Sequence, residues 1–384
     1  MTWYFDLPNV LVCVIVTVIA WRIKIIPNWI AILLVIYSFI PFFLNDFIFP
    51  SRYMKDQYAY WRAIGEIRSL NFYPDFFINA DARSGLFEKI IIPSWFLSIL
   101  PLPFVESIKS IGFFNRFSFL ILFLWIYSKN FLNGMPLLFI LFYPSLLLYT
   151  SLSLKDPLVL VFMLMSTIFL IDQKNIKFFI TILPLYFFKF QNFFFMILLF
   201  FIISIFKEKK INNKGYYFLL SLIIIFCSIL FFDDMIYELN AYRKGFWWED
   251  IRLSYNTNLF KTYEPITGIL SFLTNGVIAL PSSLLKPLPW NVENIYQAIQ
   301  SIENICLLFF LIVFIKKAHN QNAFVTGRWV LFFVITMIIH GLVVYNAGTL
   351  ARYKYPFITI FVVGLAYDLY KVNGYRFQTI FKKK

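Results

Sequence analysis

Residues 149–165 read YTSLSLKDPLVLVFMLM, and in this stretch Lys155 and Asp156 are the only charges between Lys129 and Asp172. Apolar chain of that length around one adjacent cation and anion belongs to a membrane, and the same texture extends in both directions. The 384 residues are 60% hydrophobic and 14% charged, against about 45–50% apolar and about 25% charged for soluble domains. Apolar runs recur from end to end at roughly the 20 residues a helix needs to cross the hydrocarbon. A membrane barrel would instead show short alternating strands. The expected fold is therefore an all-α polytopic membrane protein, with residues 1–384 forming one integral membrane domain. The first apolar run lacks a basic leader and a small-residue cleavage site, so it reads as a span and not a cleaved signal.

The expected spans are 7–21, 28–49, 111–128, 135–150, 157–171, 176–188, 193–206, 216–232, 294–315, 329–345 and 353–370, eleven in all. Segment 176–206 reads as a hairpin with its tip at KFQN, residues 189–192, because basic loops flank it on both sides. Segment 88–104 is apolar but interrupted by Pro93, Pro101 and Pro103, which suits a helix lying in the interface. Two large loops share one face, 50–110 and 233–293. The second contains PITGILSFLTNGVIALPSSLL (265–285), a candidate re-entrant segment.

Charge sets the orientation. The net charge is +14, and the excess falls on one face: Arg22 and Lys24, Lys129, residues 172–177, 207–214 and 316–328, and the tail ending FKKK. The other face carries as many acids as bases. By the positive-inside rule the basic face is cytoplasmic. The N-terminus is then periplasmic and the C-terminus cytoplasmic. The charge is a topology signal, so no nucleic-acid partner is expected.

Several chemistries are excluded. Cys13, Cys227 and Cys306 lie inside apolar runs and suggest no disulfide framework. His319 and His340 form no Cys/His cluster suited to zinc or haem. No P-loop or GxGxxG occurs. No internal repeat of the transporter kind is present.

Ionisable groups at membrane depth cost a few kcal/mol each on insertion scales, so those near the outer face need a reason. In RYMKDQYAYWRA (52–63), Asp56, Tyr60 and Ala63 share a helical face by spacing. Asp56 is either a general base or metal-binding carboxylate, or an anion satisfying a helix start. Asp156 precedes Pro157 and is a natural N-cap. Lys155 at a helix start requires an anion: Asp156, another carboxylate or a ligand phosphate. Lys189 at the expected hairpin tip either snorkels or reads an anion. In NAGTLARYKYPF (346–357), Arg352 and Lys354 stand at the outer start of the last span. An arginine can grip phosphate with two parallel hydrogen bonds, and Gly348 permits close backbone approach. In YRKGFWWEDIR (242–252), Trp247 and Trp248 suit stacking on sugar rings, with Arg243 and Arg252 beside them or paired with Glu249 and Asp250. Aspartates for acid/base work, with cations for a phosphate leaving group, fit chemistry on a lipid-linked substrate at the outer face.

The order of these motifs resembles the GT-C superfamily of membrane glycosyltransferases, which use polyprenyl-phosphate-linked sugars. DQYAY (56–60) is similar to the acidic element that opens their first outer loop. IGFFNRFSFLILF, with Gly112 and Arg116, looks like the Gly and Arg that precede the next span. YPSLLLYTSLSLKDPL places Pro144 and Asp156 as the second carboxylate element, and GTLARYKYP (348–356) fits the C-terminal Gly-x-x-x-Arg-Tyr-x-x-Pro spacing. PLPWNVENIYQAIQSIENI (287–305) looks like a stretch found in membrane proteins of surface-polysaccharide clusters. The chain departs from the family pattern in one extra helix before Asp56, the lack of an Asp-Glu pair, and no soluble domain after the last span. Size and composition also resemble O-antigen or capsule repeat-unit polymerases of the Wzy type.

That resemblance implies an enzyme of the bacterial inner membrane acting on undecaprenyl-diphosphate-linked oligosaccharide in the bilayer, with a chain-length regulator protein as a candidate partner. It places Asp56 and Asp156 as catalytic carboxylates. Arg352, Lys189, Lys155, Lys354 and Arg116 become phosphate or diphosphate ligands. Tyr60, Trp247, Trp248, Arg243 and Arg252 become sugar contacts. No cofactor is firmly implied, and a divalent cation at Asp56 and Asp156 is an open option. The alternatives are a single-sugar transferase using a polyprenyl-phosphate donor, and a flippase for lipid-linked oligosaccharide. A flippase would carry polar residues on both faces and two similar halves. An acyltransferase would lean on His340, the one histidine placed within a span. Glu303 also falls within a span, without an assigned role.

Overall fold

The computed structural model describes residues 3–44, 48–49, 55–69, 88–98, 107–206, 232–253, 263–292, 294–344 and 346–374. Among them the chain is helical, with no strand. Four helices are long and apolar enough to cross a membrane: Ile108–Tyr127, Ile295–His319, Ala323–Val343 and Ala347–Val372. The expected span 216–232 lies outside the described residues except for its last position, as do residues 50–54, 70–87 and 99–106 of the first loop.

The chain divides into two compact units: residues 1–196 with 366–384, and residues 197–365. The first unit opens with α1 (Trp3–Arg22), α2 (Asn28–Ser38) and α3 (Ile40–Leu44). The expected span 28–49 is broken at Phe39, because Pro41 at the start of α3 has no N–H to donate back along the helix. Then come α4 (Lys55–Ser69), α5 (Glu88–Ser98) and α6 (Ile108–Tyr127). Ile64 of α4, Leu97 of α5 and Ile111 of α6 form one buried cluster with Leu158 beside it.

The expected span 135–150 is likewise not one helix. It is α7 (Met135–Phe142) and α8 (Pro144–Tyr149), parted at Tyr143, which is extended with φ −71° and ψ 109°. A residue before proline is pushed out of the helical region by the ring. After α8 the backbone stays irregular to Lys155, and α9 (Asp156–Ile171) packs along α10 (Asn175–Phe188). The expected four-residue tip at 189–192 shrinks to one residue. Lys189 leaves the helical region with φ −160° and ψ 85°, and Phe190 already belongs to α11 (Phe190–Ile205).

In the second unit, the expected loop 233–293 holds two long helices, α12 (Phe232–Leu253) and α13 (Ile269–Leu285). Along α13, Ile269, Leu270, Leu273, Val277 and Ile278 are exposed while Gly276, Ala279 and Ser283 are buried. One apolar face is thus free for lipid and a small-residue face packs inward. That inner face lies on α15 (Ala323–Val343), where Gly341 meets the Ala279 carbonyl so closely that a Cβ has no room. The remaining helices are α14 (Ile295–His319) and α16 (Ala347–Asn373), the latter passing from the second unit into the first. Within the second unit, Trp329 of α15 is fully buried, and its indole fills the space where a side chain at Gly364 would stand.

Candidate functional site

The irregular segment 150–155 is the feature of the first unit that needs most explanation. Thr150, Ser151, Leu152, Ser153 and Leu154 are all buried, and only the first two bond back to α8, through Thr150 N–H to the Leu146 carbonyl at 3.1 Å and Ser151 N–H to the Leu148 carbonyl at 3.0 Å. An unpaired buried backbone group costs about 1–3 kcal/mol, so partners have to come from neighbouring elements. They come chiefly from α6. Gly112 lets the Ser151 carbonyl approach, and a Cβ there would lie 2.5 Å from that oxygen. One turn on, Asn115 donates both amide hydrogens, to the Leu152 carbonyl at 2.6 Å and the Leu154 carbonyl at 2.8 Å. The Ser153 hydroxyl donates to the Ile108 carbonyl. From α4, Gln57 accepts from the Ser153 N–H at 2.8 Å. Four residues of two helices therefore hold this segment in a non-helical shape.

That shape ends at Asp156. Its carboxylate is almost wholly buried and receives the Lys189 ammonium at 3.2 Å. Asp156 is the first residue of α9 and Lys155 is the cap, so the cap stands one residue earlier than the sequence suggests. Asp156 still lies in the first turn, where an anion is favoured by the unpaired N–H groups. Pro157 follows it in that turn. The anion read by Lys189 is thus the protein's own carboxylate, 33 residues away in sequence. Close by in sequence, Asn192 directs its amide to the Met163 sulfur at 3.1 Å, and its side-chain oxygen is buried without a partner among the described residues.

Arg116 shares the inner side of α6 with Gly112 and Asn115. It is 3% exposed. Its Nη1 donates to the Thr150 hydroxyl at 3.2 Å, and its guanidinium lies over the rings of Tyr37 at 5.2 Å and Phe119 at 5.7 Å. Among the described residues no carboxylate pairs with it. Asp56 is exposed in the first turn of α4, while Gln57, Tyr60 and Ala63 are buried. The face that the sequence assigns to Asp56, Tyr60 and Ala63 thus has its carboxylate in the open and its other two members inside the fold.

In the second unit, Lys354 is fully buried on α16. Its ammonium donates to the Ser283 and Leu284 carbonyls, each at 3.3 Å, and to the Asn304 side-chain oxygen at 2.7 Å. An ammonium has three hydrogens, and these three acceptors use them. Two of the acceptors are carbonyls of the last turn of α13, so Lys354 caps that helix where its dipole is negative. Asn304 in turn donates to the Lys286 carbonyl at 2.7 Å. The Gly-Thr turn before Arg352 also has a local cause. The Asn346 side chain accepts from Gly348 N–H at 2.8 Å and Thr349 N–H at 3.2 Å, as a helix cap does. Arg352 itself is half-buried.

Arg243 is a clamp. It is buried and donates to the Leu342 carbonyl at 2.8 Å and the Glu264 carbonyl at 3.3 Å. Trp247 packs against Trp248 and Tyr263, and Trp248 is exposed. The Arg252 side chain lies outside the described residues, as do those of Glu249 and Asp250. Buried His340 is bonded through Nδ1 to the Thr336 carbonyl of its own helix at 2.7 Å and lies against the Phe357 ring.

Among the described residues no three His, Cys, Asp or Glu side chains gather as a ligand set. An ammonium already stands on Asp156 where a divalent cation would bind, so the residues present do not fit a metal at that carboxylate. The sequence assigns no role to Gln57 or Asn115, and it places Asn192 only at the expected tip beside Lys189. The spacing of Gly112, Asn115 and Arg116 along one helix face was the available signal. No protein-family model, curated protein or solved structure matches this chain.

Proposed function

We propose that this protein is a glycosyltransferase acting on sugars linked to a polyprenyl diphosphate, and specifically a polymerase of oligosaccharide repeat units. The observation that carries the reading is the buried Asp156–Lys189 pair at the end of a non-helical segment held in place by Gly112, Asn115 and Gln57. A charge pair excluded from water at the end of an irregular segment is expensive to maintain, and functional sites are where such arrangements are kept.

In this reading the substrate diphosphate draws Lys189 away from Asp156, because a doubly charged anion competes for the ammonium. Asp156 is then released as a base. It takes the proton from the acceptor hydroxyl as that oxygen bonds to the anomeric carbon. The bond from that carbon to the diphosphate oxygen breaks, and its electron pair leaves on the lipid diphosphate, whose charge Lys189 stabilises. Lys155 and Arg116 are the further cations near the segment. Asp56 stands exposed one residue before Gln57 and is the candidate second carboxylate. Arg352 remains a candidate phosphate ligand with its own test. Exposed Trp248 and neighbouring Trp247 suit sugar stacking. In the same reading the chain makes about eleven crossings of a bacterial inner membrane, with the basic face cytoplasmic.

The test is the surface polysaccharide made by cells carrying Asp156→Asn, Asp56→Asn or Arg352→Ala, with membrane levels of each variant checked. A polymerase predicts loss of long chains while single repeat units persist. Loss of the single unit as well would favour the single-sugar transferase or the flippase. Normal long chains in all three variants would sink the enzymatic reading.

A further inference from the structure

A second feature of the first unit lies at the end of α1, on the basic face, away from the segment 150–156 in sequence. The chain between α1 and α2 and the end of α6 enclose an open cavity of about 590 Å³. Its polar lining is Trp21, Arg22, Lys24, Asn28, Tyr127 and Asn130. That volume is within the usual range for small-molecule sites, about 300–1,000 Å³. Local bonds shape the walls. Lys24 has φ 61° and closes α1 through the bond from Ile25 N–H to the Ala20 carbonyl at 2.9 Å. Asn130, with φ 62°, takes the same left-handed conformation just after α6, its N–H donating to the Tyr127 carbonyl at 3.0 Å. The Trp21 indole N–H donates to the Asn28 side chain at 2.8 Å, tying α1 to α2. The Arg22 guanidinium lies 5.7 Å from the Trp21 ring centre.

Two cations and no acid line the cavity, a charge balance that suits an anion. The helices that lead to it say which kind. On α1, Leu11, Ile15 and Val18 are exposed at helical spacing on the face that continues to Arg22. On α2, Ile32 and Ile36 are exposed on the face that begins at Asn28. Two bare apolar tracks therefore run up to one cationic pocket. Exposed apolar faces of membrane helices lie against acyl chains, so the anion that stands beside this pocket is a phospholipid head group. A molecule with an anionic head and two hydrocarbon chains uses all three.

We infer that this cavity binds the phosphate-bearing head of an anionic phospholipid, with Arg22 and Lys24 on the phosphate and the acyl chains along α1 and α2. The inference is independent of the proposed catalysis. Basic residues at a membrane surface each contribute about 1 kcal/mol to binding anionic lipid, so removing both is expected to weaken retention by at least about tenfold.

The experiment uses full-length protein purified from membranes and reconstituted with phosphatidylglycerol or phosphatidylcholine of identical chains. Native mass spectrometry counts retained lipid. The expected result is preferential retention of phosphatidylglycerol, lost in the Arg22→Gln/Lys24→Gln double variant. The Lys316→Gln/Lys317→Gln variant, at another basic helix end, keeps it. Both altered side chains at the cavity are exposed, so folding is not at stake, and a thermal melt verifies this. Equal retention of the two lipids, or equal loss in both double variants, would overturn the inference. Inorganic phosphate or glycerol phosphate protecting the protein as well as the lipid does, through Arg22 and Lys24, would make this a soluble-anion site and overturn the lipid assignment.

Discussion

Lys189 is largely buried and Lys354 wholly so, and each is neutralised in a different way. Lys189 meets a full charge, the Asp156 carboxylate at 3.2 Å. Lys354 is held by direct hydrogen bonds to the Ser283 and Leu284 carbonyls and the Asn304 amide oxygen, with the Glu303 carboxylate adding attraction without such a bond. An ammonium paired with one carboxylate can pass to a second anion, provided that the carboxylate left behind takes up a proton. An ammonium shared among three fixed dipoles has no equivalent second partner. The first arrangement suits a group that changes partners during a reaction. The second suits a group that holds three segments of α13, α14 and α16 together. Both lysines read alike in the sequence, as cations near the expected outer ends of apolar helices.

The largest effect expected is at the charge pair. Removing one partner of a buried pair costs about 3–5 kcal/mol of stability, and loss of a general base lowers rate by about 10²–10⁴-fold. Asp156→Asn is therefore expected to melt earlier and to make no long chains. The Asp156→Asn/Lys189→Gln double variant is expected to regain most of the lost stability and none of the activity. Thermal melts in detergent, set beside the polysaccharide ladder, separate the two effects. If the double variant regains activity along with stability, the pair is structural and the contrast with Lys354 collapses.

Lys354→Met comes next. It leaves two helix-terminal carbonyls and the Asn304 oxygen short of a donor, at about 1–3 kcal/mol for each buried group left unsatisfied. Neighbouring groups relax, so a loss of about 2–4 kcal/mol is expected. Any fall in polysaccharide should then follow the amount of folded protein. A variant that melts like the parent yet makes no polymer would return Lys354 to the substrate. Gly112→Ala is expected to be milder, about 1–3 kcal/mol. Its new methyl would meet the Ser151 carbonyl at 2.5 Å and push the segment that leads to Asp156. Activity should fall further than stability, because the displaced backbone carries the carboxylate.

Much of this fold is written plainly in the sequence. Hydrophobic runs set most of the helices, and Pro144 and Pro41 mark the breaks. Composition alone reads through these breaks as single spans, because it is equally apolar on either side of a proline. The site was half legible. Asp156, Lys189 and Arg116 stand out as charges in apolar chain. Their partners do not, because pairing over 33 residues between Asp156 and Lys189 depends on how α9 and α10 pack. Uncharged Gln57 gives no sign and Asn115 only its place on the face of Gly112 and Arg116, since their work is to satisfy backbone that only the folded chain leaves irregular. Lys354 and Arg352 look equivalent as sequence, two residues apart on one helix. A side chain's burial changes sharply within that spacing, and burial sends one into an internal cap.

The smallest effect concerns Asp172, at the opposite end of α9 from Asp156. Here one carboxylate is surrounded by cations: Lys371 at 2.9 Å, Lys129 at 3.5 Å and Lys174 at 3.9 Å, with the Tyr367 hydroxyl donating at 2.6 Å. Burial on its own would raise this carboxyl. The hydrogen bonds from Tyr367 and Lys371, with the charges of Lys129 and Lys371, override burial and hold it below its ordinary value of 3.8. A carboxyl with a depressed value in the folded state contributes stability that is complete above the unfolded value. That contribution is lost as pH falls through the folded one. Melting temperature should therefore fall below about pH 4 in the parent, and Asp172→Asn should remove part of that slope. The lysines are partly exposed, so solvent and salt screen much of the attraction, and the shift should shrink at high salt. An unchanged acid slope in the variant would show that neither the lysine charges nor the Tyr367 hydrogen bond holds this carboxyl below its unfolded value, and that packing holds the cluster. Asp156 would then be the one aspartate of α9 and its flanks whose ion pair governs stability.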